Sequence, residues 1–161
     1  MSEETIDTAE FRQVLSHYPT GVAAITAVDA DGAPLALLVG SFTSVSLDPP
    51  LVGFLPDRKS SSWPLIEATG RFAVNVLAAD QAEESRSLAG KGDKFAGVEW
   101  RPSPHGLPML TKALATIECS LHQVVDAGDH VFVMGKVDRL AAHHEGDPML
   151  FWRGRYGGFS G

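Results

Sequence analysis

The chain has 161 residues, of which 44% are hydrophobic and 20% charged, values typical of one globular domain with a sizeable core. Its formal net charge of -7 argues against a general attraction to nucleic acid or to anionic membranes. One cysteine, no apolar signal core in the acidic first residues and no apolar run near the roughly 20 residues of a membrane helix predict a cytoplasmic protein without disulfides.

The first third of the chain predicts a short helix followed by strands. Asp7 and Glu10 have the spacing of a capping box, and apolar residues at helical spacing follow them. We expect about the first eight residues to be flexible, within a single domain that spans residues 1–161. Strands are predicted at 22–28, 35–45 and 51–55, with a hairpin turn at 29–32.

The middle of the chain predicts two helices around a buried strand. One helix lies between Ser62 and Gly70, with a proline in its first turn. The alternating run at 72–77 is apolar on both faces, which indicates a strand buried on both sides. Asp80 is expected to cap a second helix, which ends near Ala89.

The last part of the chain is predicted to be a loop followed by β-structure. A loop rich in Gly, Lys and Pro covers roughly 90–108, and strands are expected at 115–125, 130–141 and 149–152. Residues 126–129 form the turn between the two long strands. Many strands, short helices and antiparallel hairpins predict a mainly β fold that is a closed or nearly closed barrel.

Small residues at 40–46 form the first candidate ligand surface. The segment follows an apolar run, and Gly40 and Ser41 would let a flat ring pack against the backbone. A flavin needs backbone N–H donors at its carbonyl oxygens and N5, which such a strand edge can supply. A Ser/Thr-rich strand that simply faces solvent explains the composition equally well.

The segment RKSSS at 58–62, directly before a predicted helix, is the second candidate. Hydroxyl groups, free N-terminal amides and two cations converge there, and such a turn can hold a phosphate. On composition alone, a polar turn that caps the helix is the favoured alternative.

The third candidate is Gly128-Asp129-His130, at the mouth of the last long hairpin. A histidine at this place could contact a second ligand above the first, with a pKa near neutrality. An exposed turn residue at a strand end is the simpler interpretation of His130.

The remaining chemistry-bearing residues are interpreted as structural. Cys119 lies in phase with apolar neighbours and is expected in the core. His143 and His144 are adjacent and would point to opposite faces of a strand, so no metal site is expected. The three tryptophans are interpreted as packing anchors, and the absence of a G-x-G-x-x-G motif means that any nicotinamide would bind without a Rossmann domain.

Seven segments, in this order and spacing, carry a resemblance to a known family. They are YPTGV at 18–22, SFTSVSLDPPLV at 41–52, SSSWPLI at 60–66, GRFAVNVLAADQ at 70–81, DKFAGVEWR at 93–101, DAGDH at 126–130 and MLFWRGRYG at 149–157. Together they resemble the short flavin reductases of the FMN-binding split-barrel type, the reductase partners of two-component flavin-dependent monooxygenases. The resemblance covers nearly the whole chain.

The resemblance implies an antiparallel split β-barrel that forms a homodimer. It implies an NAD(P)H:flavin oxidoreductase that uses FMN or FAD and NADH or NADPH, and that passes reduced flavin to a partner oxygenase. The flavin-binding residues it implies are Leu38, Val39, Gly40, Ser41, Ser44, Lys59, Ser60, Ser61, Ser62, Arg86, Ala89, Lys94 and Phe95. The nicotinamide would meet Gly128, Asp129, His130 and Tyr156, with His130 as the catalytic candidate that orients the nicotinamide.

The sequence departs from the family pattern in the strand before Ser41. Members of the family commonly carry Thr and Asn or Ser where this chain has Leu38 and Gly40. The loss of two hydrogen bonds of about 1 kcal/mol each predicts flavin binding that is weaker by roughly tenfold or more and rests on backbone contacts. Two alternatives therefore stay open: a non-catalytic protein that binds flavin, deazaflavin or haem, and an enzyme similar to pyridoxamine-phosphate oxidases.

Overall fold

The structure is a computed structural model that describes residues 3–161. It contains three short helices and twelve strands within those residues. The helices are α1 (Thr8–Leu15), α2 (Trp63–Thr69) and α3 (Ala82–Ala89). The strands are β1 (Thr20–Gly21), β2 (Ala23–Val28), β3 (Pro34–Val39), β4 (Thr43–Leu47), β5 (Pro50–Phe54), β6 (Arg71–Val76), β7 (Trp100–Pro102), β8 (Pro108–Leu110), β9 (Ala115–Ala127), β10 (His130–Ala142), β11 (Leu150–Trp152) and β12 (Arg155–Gly157).

A seven-stranded sheet with antiparallel pairings dominates the fold. Its strand order is β3-β2-β6-β9-β10-β5-β4, so β3 and β4 lie at its two ends. A second sheet has the order β1-β11-β12, and β7 pairs with β8. The mainly β class with short helices is thereby confirmed. Among residues 3–161, no helix combines the length and the apolar character needed to cross a membrane.

The first helix confirms the predicted cap but buries none of its own residues. The Asp7 carboxylate accepts a hydrogen bond from the Ala9 N–H at 3.0 Å, which satisfies one of the free donors at the start of α1. The apolar side chains of Phe11, Val14 and Leu15 are all more than half exposed. Of the eight residues expected to be flexible, residues 1 and 2 lie outside the described residues, and Thr8 already belongs to α1.

The prediction of one continuous strand at 35–45 is wrong. The segment forms β3 and β4, which are separated by Gly40, Ser41 and Phe42. The Ser41 hydroxyl accepts a hydrogen bond from the Leu55 N–H at 2.9 Å, so a side chain replaces a backbone ladder at this point. Before this break the chain pairs with β2 as strand β3, at one end of the sheet. After the break it pairs with β5 as strand β4, at the other end.

The cap predicted for the third helix is also wrong. Gln81, and not Asp80, is the N-cap residue of α3. Its amide oxygen accepts a hydrogen bond from the Ala78 N–H at 2.8 Å, and its amide nitrogen donates to Glu84 at 2.9 Å. A buried Gln with two partners fixes the start of the helix, whereas the end at Ala89 is as predicted.

The sequence patterns do not predict four short strands. Strand β1 precedes the predicted strand at 22–28, β7 and β8 lie at the end of the predicted loop and just beyond it, and β12 follows the last predicted strand. Each has two or three residues, which is too short to show a period of two. Strand β12 pairs with β11 through the turn at Arg153 and Gly154, both of which have positive φ.

Two hydrophobic clusters form the core, one of which contains residues from distant strands of the large sheet. Val39 at the end of β3 and Phe54 on β5, the strand next to β4, belong to the same cluster, together with Trp63 of α2. The sheet is therefore curved enough to bring β3 and β5 to one core. Cys119 is buried in this cluster, as predicted. Burial, assisted by the nearby Asp138 and Glu118 carboxylates, raises the pKa of Cys119 to about 12, so the thiol is a packing group.

Gly135 provides a test of how tightly β6, β9 and β10 pack. A Cβ at this position would lie 2.6 Å from Phe72 Cζ and 2.8 Å from Cys119 Cβ, whereas a Cβ at Gly92 would meet nothing within 4 Å. We expect Gly135→Ala to lower the free energy of unfolding by about 1–3 kcal/mol, because the added methyl group overpacks the core. Gly92→Ala is the control and should stay within about 0.5 kcal/mol of wild type in chemical denaturation. Equal stability of the two variants would contradict this packing.

Candidate functional site

A groove of about 480 Å³ lies where the end of β3 meets the chain that follows β5. It collects residues that are far apart in the sequence and includes five of the predicted flavin residues. Its lining is formed by Thr20, Leu37, Leu38, Val39, Gly40, Ser41, Leu55, Pro56, Asp57, Ser60 and Phe151. The fold therefore brings the small residues of the β3 end to the edge of the Ser60 turn.

Thr20 explains why position 40 is a glycine. A Cβ at Gly40 would lie only 2.9 Å from Thr20 Oγ1. This hydroxyl is buried, and within residues 3–161 it has no hydrogen-bond partner. Thr20 lies within the YPTGV segment, but its sequence context predicts no role for it. The structure places its hydroxyl where a side chain at position 40 would otherwise stand.

The other residues of this strand end differ in whether their side chains are free to contact a ligand in the groove. Leu38 packs against the second core cluster and also lines the groove, so its side chain forms an apolar wall. The Ser41 hydroxyl is engaged with the Leu55 backbone. Ser44 lies exposed on β4, opposite Val52, and is not among the lining residues of the groove.

The serine turn before α2 has its own internal hydrogen bonds. The Ser60 hydroxyl accepts hydrogen bonds from the N–H groups of Ser62 and Trp63, at 3.3 and 3.1 Å. Ser62 is the N-cap residue of α2, yet its side chain makes no capping bond. Ser61 and Lys59 are exposed. A cation and a free hydroxyl thus stay available at the start of this helix.

Lys94 bridges this turn to β3. Its ammonium group donates hydrogen bonds to Ser62 Oγ at 2.7 Å and to the Ala36 carbonyl at 3.0 Å. Burial lowers the pKa of Lys94, because the charged form loses water that two acceptors only partly replace. The structure therefore brings together Lys94 and Ser62, which the sequence analysis had assigned to the same ligand.

Three further predicted residues do not line the groove. Phe95 packs against Trp100 at 5.9 Å between ring centroids and belongs to the second core cluster. Arg86 and Ala89 are exposed on α3. Their assigned contact with flavin stays a prediction.

The turn at 57–60 is docked directly on the turn at 128–130. Asp57 forms a β-bridge with His130. The Arg58 N–H donates to the Asp129 carbonyl at 3.0 Å, and the Arg58 guanidinium donates to the Gly128 carbonyl and to Asp126 at 2.9 and 2.6 Å. The predicted phosphate and nicotinamide segments, about 70 residues apart, are therefore neighbours. Arg58 serves as the tie between them.

Asp129 and His130 form a preorganised pair at this junction. The His130 Nδ1 and Asp129 Oδ1 atoms are 2.7 Å apart, and the imidazole is only partly exposed. The hydrogen bond to His130, followed by the attraction of its charge, lowers the pKa of Asp129. The carboxylate favours one orientation of the ring, and within residues 3–161 the other ring nitrogen has no hydrogen-bond partner.

Tyr156 approaches the same strand end from the other side. Its ring lies 5.3 Å from that of Phe151, and both rings line a smaller cavity of about 140 Å³. Val22, Leu38, Val39 and Gly40 complete the lining. Because Phe151 also lines the groove, Tyr156 is one aromatic ring away from it. The sequence alone could not show this proximity.

The histidines set aside by the sequence analysis have local partners. The His143 Nε2 atom is 2.7 Å from Thr116 Oγ1, and His144 Nε2 is 3.0 Å from the Lys112 carbonyl. In the described part of the chain, no group of three His, Cys, Asp or Glu side chains is arranged to hold a metal ion.

These features fit a flat ligand that carries a phosphate. Gly40 lines the groove, with the Thr20 hydroxyl in the place of a side chain, and the Leu38 and Pro56 walls are apolar. The Lys59–Ser62 turn supplies hydroxyls and cations at one end of the groove. The unpartnered Thr20 hydroxyl adds a polar atom beside the ring position.

The chain belongs to the flavin reductase like domain family, whose model matches residues 15–160. The "Flavin reductase" of Pseudomonas putida is 52% identical over 156 residues, which cover 96% of this chain and 92% of that protein. The flavin-dependent monooxygenase reductase subunit HsaB of Rhodococcus jostii is 46% identical over 159 residues, which cover 98% and 81%. The solved structure of the Streptomyces globisporus NADH:FAD oxidoreductase SgcE6, in complex with NAD and FAD fragments, is similar with a TM-score of 0.90, 32% identity and 98% of each chain covered.

The Asp129–His130 pair predicts a measurable change in the pKa of Asp129 when His130 is replaced. In wild type, the pKa of Asp129 is below its ordinary value, so the pair stabilises the fold above the unfolded pKa, near pH 4, and this contribution is lost as the pH falls through the folded pKa. His130→Ala should raise the pKa of Asp129 towards the ordinary range in an NMR titration of the carboxyl carbon. His122→Ala, an exposed histidine on β9, is the control and should leave Asp129 unchanged. An unaltered Asp129 titration in His130→Ala would contradict the pairing.

Proposed function

We propose that this protein is an NAD(P)H:flavin oxidoreductase that reduces FMN or FAD and supplies the reduced flavin to a partner monooxygenase. The observation that carries the proposal is the groove at the β3 end, with the His130 turn docked beside its Asp57 edge. Membership of the flavin reductase like family supports the same activity. The names of HsaB and SgcE6, a monooxygenase reductase subunit and an NADH:FAD oxidoreductase, agree with it.

In this proposal the chain acts by positioning two ligands. NAD(P)H supplies a hydride and flavin accepts it, so the protein needs no nucleophile of its own. The backbone at 38–41, which lines the groove, lies along the isoalloxazine ring. Ser44, Lys59, Ser60, Ser61 and Ser62 hold the ribityl phosphate, and Arg86, Ala89, Lys94 and Phe95 close over the flavin. Near-attack geometry between the two rings is the catalytic contribution.

His130 orients the nicotinamide or its phosphates, with Gly128, Asp129 and Tyr156 around the same ligand. The 2.7 Å contact with Asp129 fixes the imidazole before any ligand arrives. Because the His130 imidazole is already oriented, it loses less conformational entropy when it binds the nicotinamide ligand. We therefore assign His130 to nicotinamide binding and hydride-transfer geometry.

We also infer that the whole chain is one domain, that its sheet curls into an antiparallel split β-barrel and that two copies form a homodimer. The shared core of Val39 and Phe54 supports the curling of the sheet. The uncovered apolar side chains of α1 support association with a second copy. Light scattering on the purified protein should report twice the mass of one chain. A reducing compartment such as the cytoplasm suits a reduced nicotinamide substrate.

The proposed activity predicts steady-state oxidation of NADH or NADPH in the presence of added FMN or FAD. The four flavin and nicotinamide combinations identify the preferred pair. His130→Ala should raise the KM for the nicotinamide about tenfold, with a smaller effect on the flavin KM, because one hydrogen bond to a charged or polar ligand is lost.

His122→Ala, exposed on β9, is the matched control and should behave as wild type. Unchanged kinetics in His130→Ala would remove this residue from the site. A purified protein that holds pigment but fails to turn over any of the four pairs would contradict the reductase and indicate the non-catalytic binder.

Lys94 predicts a separate effect on the flavin. Lys94→Gln removes the cation at Ser62 Oγ and should raise the flavin KM about tenfold, while the nicotinamide KM stays close to wild type. Lys91→Gln, exposed in the same loop, is the control. A rise in both Michaelis constants, or in neither, would argue against a flavin-phosphate role for Lys94.

A further inference from the structure

The C-terminal hairpin places two arginines on the wall of a second cavity. The cavity measures about 570 Å³ and lies beside the β11–β12 pair. Its lining consists of Pro19, Leu150, Trp152, Arg153, Arg155, Tyr156, Gly157 and Gly158. A cavity with two cations and two aromatic rings suits an anionic ligand that carries flat rings.

The arginine turn is held in place by contacts with the end of α1. The Arg153 N–H donates to the Ser16 carbonyl at 3.0 Å, and the Trp152 Nε1–H donates to the His17 carbonyl at 2.9 Å. Arg153 has a φ of 51°, an unusual value for a residue with a side chain, and Gly154 follows with 77°. This turn therefore aims the arginine side chain from a fixed backbone.

The two guanidinium groups keep their charge available. The Arg153 guanidinium lies 5.3 Å from the centre of the Trp152 ring, a cation–π contact that orients it without neutralising it. Within residues 3–161, neither Arg153 nor Arg155 has a carboxylate within 4.0 Å, whereas Arg58 and Arg139 do. In a chain of net charge -7, this is a local concentration of positive charge.

A small cavity with shared aromatic residues lies between this cavity and the groove. Tyr156 lines the arginine cavity and also the small cavity against Leu38 and Gly40. Phe151 lines that small cavity and the groove. The arginines therefore extend the site on the Tyr156 side, whereas Ser60 and Asp57 border the groove itself.

We propose that Arg153 and Arg155 bind the diphosphate of the nicotinamide dinucleotide whose ring lies near Tyr156. The proposal rests on the proposed function and adds two residues to it. A guanidinium matches phosphate oxygens with two parallel hydrogen bonds, which a lysine cannot do. The glycines at 157 and 158 leave room for the ligand beside them.

A diphosphate is also present in FAD, so the test must separate the two dinucleotides. The assignment to NAD(P)H follows from Tyr156, which lies between the arginines and the strand end. Using FMN as the acceptor removes the second diphosphate from the assay. Any effect that then remains belongs to the nicotinamide dinucleotide.

The direct test is calorimetric binding of NAD⁺ and of inorganic pyrophosphate to the purified protein. Arg153→Gln, Arg155→Gln and the double variant should weaken NAD⁺ binding, by about tenfold or more in the double variant, because charge-assisted hydrogen bonds are lost. Pyrophosphate binding should weaken in parallel, and added salt should weaken wild type more than the double variant. Arg101→Gln, an exposed arginine on β7, is the matched control and should bind as wild type does.

Kinetics with FMN and NADH provide the second readout. The double variant should raise the KM for NADH about tenfold or more and leave the KM for FMN unchanged. Arg153→Lys and Arg155→Lys should recover part of the loss, since they restore the charge without the planar fork. Unfolding midpoints equal to wild type show that the hairpin stays folded.

Distinct results would overturn the proposal. Unchanged NAD⁺ binding in the double variant would remove both arginines from the ligand site, even if wild type turns over. A rise in the KM for FAD alone would assign the arginines to the flavin dinucleotide and contradict the proposal. If wild type oxidises no nicotinamide, the proposed function fails, while arginine-dependent NAD⁺ binding would still support this site.

Discussion

The hydrogen bond between the Ser41 hydroxyl and the Leu55 N–H, at 2.9 Å, marks the constraint on which the site depends. It stands at the break between β3 and β4, where the chain changes from pairing with β2 to pairing with β5. Because β3 and β4 are the two end strands of the large sheet, this break carries the chain from one end to the other, and β3 shares a core with β5, the neighbour of β4. The groove opens at the break, so the small residues there line a site instead of continuing a ladder.

A second constraint is the direct docking of two turns. The Asp57–His130 bridge and the Arg58 hydrogen bonds join the serine turn to the mouth of the long hairpin. Most of these contacts involve the backbone, so the relative position of the turns depends little on side-chain freedom. A catalyst that works by aligning two rings requires this rigidity, because small displacements reduce the fraction of reactive geometries. Arg58 is therefore a structural tie, and Lys59 and Lys94 are the cations beside the proposed phosphate position.

Local patterns identified most of the secondary structure. The Asp7 cap, the Gly70 stop and the buried strand at 71–76 follow from capping chemistry, positive φ and apolar alternation. One error was local: the buried Gln81, whose side chain bonds Ala78 and Glu84, each three residues away, sets the start of α3. Another error occurred where a tertiary contact decides the local structure. Strands of three residues such as β12 exist because β11 is beside them, and no internal periodicity can reveal that.

The candidate site shows the same division. By itself, the sequence determined the family, and it predicted the flavin strand end, the serine turn and the Gly128–His130 turn as candidate sites, because each is a local motif in a fixed order. Only the tertiary structure decided that Thr20 fills the space beside Gly40, that Lys94 bonds Ser62 and that Tyr156 reaches the same strand end. These contacts join residues far apart in the chain, and their distances depend on how the sheet curves. A sequence specifies its side chains directly, but it specifies such distances only through the packing of the whole fold.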